Sequence, residues 1–331
     1  MATINTTVPT LLDVASRLDP NGSISAIAEL LSQTNSLLED MPFIEGNLPT
    51  GHRTTIRTGL PTVYWRLLNR GVPTSKSRTA QVDEAVGMLE ARSEVDVDLA
   101  SLNGNTTEFR LSEGKAFLEA MNQEMASTLF YGNSTTDPEE FNGLSVRYSS
   151  LSAGNAQNIL SAGDVVGGDA TSMWLVVWSP ETVTGIYPKG SIAGLTHEDL
   201  GVGDAFDGDN NRFRAWMDLW KWKCGVTVRD WRYAVRICNI DTSALNDDTA
   251  GTVVKMQELM IRAMHRIPNL GMGRPVFYCN RDVRQALDLQ ALSKASNTLT
   301  IDNYDGRLIT SFRGVPVKTV DSLLASESTV S

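Results

Sequence analysis

Asp96 and Asp98 have the spacing that acid–base chemistry asks for. The run Glu94-Val95-Asp96-Val97-Asp98-Leu99 alternates strictly, as a half-buried strand does, and residues two apart on a strand share a face. Two carboxylates on one face can serve as general acid and general base, which would make the chain a soluble hydrolase. An acidic strand face turned to water has the same pattern, and that is the simpler reading.

The other chemical candidates carry less. Asp204, Asp207 and Asp209 spell D-x-x-D-G-D, whereas a calcium loop of the EF-hand type needs D-x-D-x-D-G and a glutamate at its twelfth position. His52, His197 and His265 are far apart, without the spacing of a zinc site. Gly114-Lys115 runs into Ala116 and has no upstream glycine, so it is not a phosphate loop; no G-x-S-x-G occurs. Gly201-Val202-Gly203 and Gly271-Met272-Gly273 lack the third glycine of a dinucleotide fingerprint. Cys224, Cys238 and Cys279 form no C-x-x-C pair and read as small buried hydrophobes. Trp216, Trp220, Trp222 and Trp231, interleaved with Lys221, Lys223, Arg229, Arg232 and Arg236, could stack bases or sugars. Core and interface packing uses the same residues. No catalytic group, cofactor or metal is expected.

Composition narrows the classes further. The chain is 41% hydrophobic and 21% charged, which suits a globular protein with room for two domains. A net charge of −10 argues against a dedicated nucleic-acid binder, which needs clustered Lys and Arg to release counterions. The longest uncharged apolar run, Met173 to Trp178, is far too short to cross a bilayer, and MATINTTVPT lacks the basic start of a signal peptide. A soluble protein made inside the cell, without membrane contact, is the expectation.

The elements that must position any site begin with a helix over 112–131. Phe117, Leu118, Met121, Met125 and Leu129 recur at steps of three and four, Ser112 suits the N-cap, and Gly132-Asn133 suits a left-handed stop. About 20 residues at about 1.5 Å each make a rod of roughly 30 Å. Phe141-Asn142-Gly143-Leu144 then reads as a turn into a strand. Before it, 1–47 predicts two short helices with stripes at Leu11, Leu12, Ala15, Leu18 and at Ile24, Ile27, Ala28, Leu31, too thin to stand alone. After it come a buried strand over Ser172 to Trp178, a turn at Gly185 to Gly190, a polar loop from Glu198 to Asn211, and strands around Val226 and Tyr233 to Ile237. A helix over 252–265, a strand Pro275 to Cys279, an Asn280-capped helix over 281–292 and a turn at Arg313-Gly314 complete the order.

Residues 52–100 read as a long hairpin whose returning limb is Glu94 to Leu99. Arg53, Arg57, Arg66, Arg70, Lys76 and Arg78 precede position 80; Asp83, Glu84, Glu90, Glu94, Asp96 and Asp98 follow it. An isolated hairpin is marginal in water, and Tyr64 and Trp65 make this one worse unless something covers them. One reading lays the basic tip of one copy across an acidic surface of the next. The other packs the hairpin on its own domain.

The order helix, Tyr131-Gly132-Asn133, connector, Phe141-Asn142-Gly143-Leu144 resembles a segment of the major capsid proteins of tailed double-stranded DNA bacteriophages, short-tailed ones in particular, with the Hong Kong 97-like fold. A strand at Val276 to Tyr278, Asn280 to Val283, Asp305-Gly306 and Gly314 to Val317 resemble that family's A-domain. The resemblance implies an α+β fold with a spine helix, an extended E-loop hairpin and an α/β A-domain. It divides the chain into an arm (1–47), the E-loop (48–104), a P-domain (105–243) with the spine helix at 112–131, and the A-domain (244–331). Only Lys318 to Ser331 follow Gly314 to Val317, so 171–241 is expected to supply the missing P-domain strands in a permuted order.

The implied function is a non-enzymatic subunit that assembles with itself, as homo-pentamers and homo-hexamers, into an icosahedral shell around the genome, in the virion and built in the host cytoplasm. The implied further partners are a cement or decoration protein, a portal and a scaffold, with packaged DNA touched weakly and non-specifically. The intersubunit contacts are then expected from Tyr64, Trp65, Arg66, Arg70, Lys76, Arg78, Glu90, Glu94, Asp96 and Asp98. An encapsulin-like nanocompartment shell is the alternative that shares the fold.

Overall fold

The computed structural model describes Pro9, Gln33 and residues 35–102, 106–163, 168–207, 209–246, 256–292, 299–304 and 307–331. The two helices expected before Leu31, and Asp305-Gly306, lie outside the described residues. The strands are β1 (Phe43–Glu45), β2 (Gly51–Gly59), β3 (Arg78–Ala85), β4 (Gly87–Asp96), β5 (Ile159–Ser161), β6 (Ala170–Trp178) and β7 (Val183–Tyr187). They continue with β8 (Leu195–Phe206), β9 (Arg212–Val228), β10 (Ala234–Asp241), β11 (Arg274–Cys279), β12 (Leu299–Tyr304), β13 (Arg307–Phe312) and β14 (Val315–Thr319).

One large sheet runs β12-β13-β14-β11-β6-β7-β9-β4, with β8 added to β9, β10 to β6, β5 to β10, and β1 to β7. Its centre is β6, buried on both faces and apolar from Met173 to Trp178, as that run predicts. Alternate side chains serve two cores. Met173, Leu175 and Val177 meet the helices Met256–Arg266 and Arg281–Leu292, while Trp174, Val176 and Trp178 meet the end of the long helix. The second of those helices starts as expected, with Asn280 Oδ1 accepting from the Val283 amide at 2.9 Å. The Arg313-Gly314 turn between β13 and β14 has positive φ at both positions (51° and 81°), the geometry that a two-residue hairpin favours.

The long helix spans Thr106–Tyr131, 26 residues and roughly 40 Å, so it starts six residues before Ser112. Phe109 explains the difference: it is buried with Val95 and Ala100, and that contact extends the apolar stripe by more than a turn. Met121, Met125 and Leu129 are buried as expected, Phe117 is half-buried and Leu118 stays exposed. Gly132 does not take the left-handed conformation. A Cβ there would lie 2.4 Å from the Phe141 carbonyl, so it is close approach that requires glycine. Leu144–Arg147 continues as one helical turn, not as a strand.

Two other expectations fail. Val183–Tyr187 is a buried strand that takes the first half of the expected turn; the chain turns at Lys189-Gly190, where Gly190 has φ 78°. The expected polar loop is mostly β8, with Glu198, Asp199 and Asp204 on an edge strand; the chain leaves the strand at Asp207 and turns at Asp209 and Asn210. At the other end of the chain, Asn35 to Glu45 packs on its own body: Leu37 is fully buried, β1 pairs with β7, and buried Asp40 accepts from Tyr278 Oη (2.9 Å) and Lys318 Nζ (2.7 Å).

The C-terminal segment is held by a buried ion pair. Arg236 Nη2 lies 2.8 Å from Glu327 Oε2, each side chain only 5% exposed. Tyr131 Oη donates to the same carboxylate at 2.5 Å, as does Ser172 Oγ. Removing one member leaves the other charge buried alone. Glu327→Ala is therefore expected to cost about 3–5 kcal/mol in urea unfolding; a loss under about 1 kcal/mol would contradict this role for the pair.

Candidate subunit-contact surface

The hairpin differs from its expected outline. Its returning limb is β3, which pairs with β2 from Gly51↔Ala85 to Gly59↔Arg78. Glu94 to Asp96 belong to β4, paired with β9 inside the large sheet. That strand stops at Asp96 because its carboxylate caps the turn Val97–Ala100, accepting from the amides of Asp98 (2.8 Å) and Leu99. Asp96 and Asp98 therefore share no strand face, and the geometry offers them no acid–base pairing.

Between β2 and β3, residues 60–77 form an extended tip with no strand pairing, every one exposed. Trp65 is 104% exposed and Leu68 93%, with Leu60, Val63 and Leu67 close behind. Tyr64, Trp65, Arg66, Arg70 and Lys76 lie together on this tip, with Arg78 at its foot. Arg66 Nε donates to the Arg70 carbonyl at 2.8 Å and Ser75 Oγ to the Thr62 carbonyl at 2.6 Å, which hold the turn. Among the described residues, no carboxylate pairs with Arg57, Arg66, Arg70, Lys76 or Arg78. Arg53 does pair, forking onto Asp83 at 2.6 and 2.7 Å.

The acidic half of the expected surface lies on the body. Glu90 stands 3.8 Å from Lys221; Glu94 and Asp98 have no cation in range among the described residues. Sequence reasoning missed β8, which pairs with β9 on the edge opposite β4. Glu198 is exposed there, Leu200 and Phe206 are exposed apolar residues, and no described strand pairs with the outer edge. Such an edge is a template for another chain.

The tryptophans are occupied internally. Trp220 stacks between Phe117 of the long helix (5.1 Å, 10°) and His197 (5.2 Å, 28°), and Arg110 lies 4.7 Å over Trp216. Arg110 also joins Asp218 (2.8 Å) and Asp199 (2.9 Å), fastening the helix to β8 and β9. Burial pushes the thiols of Cys224 and Cys279 up to about 12, and that of Cys238 up to about 11, so none is a ready nucleophile. Among the described residues no group of three His, Cys, Asp or Glu could hold a metal, and no helix is long and apolar enough to cross a membrane.

A long helix laid on a sheet, with an unsupported hairpin leaving that sheet, is a body with an appendage. The family model for major capsid protein GP7 matches residues 19–331. The chain belongs to that family. It is 36% identical to a chain of the bacteriophage Epsilon15 structure, over 100% of this chain and 99% of that one, with a TM-score of 0.76. The bacteriophage JBD30 capsid is similar in fold alone, at 8% identity and a TM-score of 0.50 over 90% of this chain and 95% of that one. No curated protein matches. This is a tailed-phage major capsid protein of the Hong Kong 97-like fold, and the hydrolase and nanocompartment readings are not favoured.

The capsid protein's hairpin is rooted in buried charge. His52 and Glu84 face each other across the first rungs of the hairpin, each 6% exposed. Arg147 forks onto Glu84 at 2.5 and 2.7 Å, and Arg229 Nη2 donates to His52 Nε2 at 3.0 Å. Burial, then the Arg229 charge, hold His52 below its ordinary range, against an opposing pull from Glu84. The unfolded chain thus takes up this proton more readily, so stability falls as pH drops below the ordinary imidazole value of about 6.5. Thermal unfolding at pH 7.5 and 5.5 should show a smaller acid-induced loss in His52→Gln than in the parent; equal losses would contradict the assignment.

Proposed function

We propose that each subunit lays its hairpin tip across the β4 and β8 surface of a neighbouring copy, and that this contact closes subunits into pentamers and hexamers of an icosahedral shell around double-stranded DNA. The observation that carries it is Trp65, wholly exposed in the middle of an unpaired segment with Leu60, Val63, Leu67 and Leu68 exposed around it. Surface of that kind needs a partner in a protein that works in solution.

Charge supports the choice of partner. The tip presents unpaired cations at Arg66, Arg70 and Lys76, and the body unpaired anions at Glu94, Asp98 and Glu198. Opposite patches on one chain that do not meet within it make a head-to-tail contact, which closes into rings when the rotation permits. The edge of β8 offers unpaired backbone groups as well. The contact residues are Tyr64, Trp65, Arg66, Arg70, Lys76 and Arg78 on one copy, and Glu90, Glu94, Asp98 and the Asp96 turn on the other. Residues 1–47, 48–104, 105–243 and 244–331 serve as arm, E-loop, P-domain and A-domain. The place of β6 to β10 in the sheet beside the long helix supports the permuted order.

Assembly takes place in the host cytoplasm with a scaffold and portal, and a cement protein covers the finished shell. The protein does no catalysis, and its net charge of −10 keeps its contact with packaged DNA weak. The test is to replace 61–76 by a short Gly-Ser turn. The subunit is expected to keep its circular dichroism and unfolding midpoint and to form no shells by negative-stain microscopy. Normal shells from that variant would refute the proposal.

A further inference from the structure

Among the described strands β2 and β3 pair only with each other, so the hairpin's direction is set at its root. From Gly51 to Trp65 the extended chain reaches about 45 Å, and a swing of about 10° at the root moves the tip by about 8 Å. That is more than a strand spacing, so a contact with a defined register on a neighbour needs an aimed lever.

The root has the parts for aiming. Arg147 stands on the helical turn Leu144–Arg147 and grips Glu84 on the returning strand; its Nη2 also donates to the carbonyls of Asn142 (3.0 Å) and Val226 (3.2 Å). Arg229, one residue past β9, donates to His52 on the outgoing strand, and its own amide is tied to the Thr182 carbonyl at 2.8 Å. Each strand is thus held by one arginine of the body. Glycines let the backbones close around these pairs. A Cβ on Gly51 would lie 2.0 Å from the Glu84 carbonyl oxygen, and one on Gly225 would lie 2.7 Å from that of Ala85.

Stability does not explain this wiring. Arg147 Nε, Arg229 Nε and His52 Nδ1 are buried without a partner among the described residues. A partly satisfied polar network is worse for stability than an apolar core of the same volume. What it supplies is direction, because a forked guanidinium–carboxylate pair accepts only a narrow range of geometry, whereas apolar faces slide.

We infer that Arg147 and Arg229 are positioning residues for assembly: they fix the angle at which the hairpin leaves the body and so decide where its tip lands on the next copy. The inference rests on the tip being the subunit contact. Beyond that reading, it assigns specificity to residues that touch no neighbour through the tip.

The test measures the angle directly. Gly71 on the tip and Gly154 on the body have open space around them, and Cys224, Cys238 and Cys279 are fully buried. Spin labels on Gly71→Cys and Gly154→Cys in the full chain, as unassembled subunits, are expected to give one narrow distance distribution by pulsed electron resonance. Arg147→Gln and Glu84→Gln should each broaden it, leave the circular dichroism unchanged, and lower the yield of regular shells by about tenfold or more, on the scale of losing one charge-assisted bond. Glu84→Gln, which leaves no buried anion unpaired, serves if Arg147→Gln fails to fold. An unbroadened distribution in a folded Glu84→Gln overturns the inference whatever the shells do. Normal shells from Trp65→Ser, with the broadening present, would sink the tip contact and leave the aiming function without its object.

Discussion

Trp65 in water is the constraint that the rest of the molecule answers to. A fully exposed tryptophan with Leu60, Val63, Leu67 and Leu68 around it withholds burial that is worth roughly 1.5–3 kcal/mol per large side chain. Five such residues amount to something on the order of 10 kcal/mol left unclaimed by each isolated subunit. In the proposed contact this burial would be gained at every tip and set against the entropy of association. The proposed contact between copies also accounts for the lack of strand pairing in the tip, since its backbone groups and its apolar faces would meet the same partner.

The body is built to hold that tip still. Strand β9 is 17 residues long and pairs with β7 at one end and with β4 and β8 along the rest. The long helix is fastened to this platform by the Phe117–Trp220–His197 stack and the Arg110–Asp218 pair. Buried ion pairs recur wherever a segment must be located: Glu327 for the C-terminal segment, Asp40 for the stretch Asn35 to Glu45, and Glu84 for the hairpin. Such pairs contribute little net stability, and their recurrence at attachment points fits a role in geometry.

What was legible in the sequence follows from burial on one face or two. The long helix, β6, the Asn280 cap and the Arg313-Gly314 turn were readable because each has a local signature: a stripe, an apolar run, a capping side chain, a glycine at positive φ. The cations and aromatics of the tip were readable from the order of residues, but their exposure was not, because a hairpin packed on its own domain fits the same order. The returning limb was not. Arg78–Ala85 has both faces largely in water, so it has no alternation to detect, while Glu94 to Asp96 alternates strongly because it is half-buried on β9. Strand β8 was hidden for a related reason, since an acidic edge strand with Gly201 and Gly203 has the composition of a loop. The root could not be read at all, because His52, Glu84, Arg147 and Arg229 meet only in the folded chain.

The proposed contact puts a second copy over Trp65, and site-specific photo-crosslinking tests that directly. A benzophenone side chain placed at position 65 of assembled shells should yield covalent dimers, with the adduct mapping to the neighbour's β4 or β8. Adducts confined to the same polypeptide, or shells that form with position 65 still open to water, would contradict it.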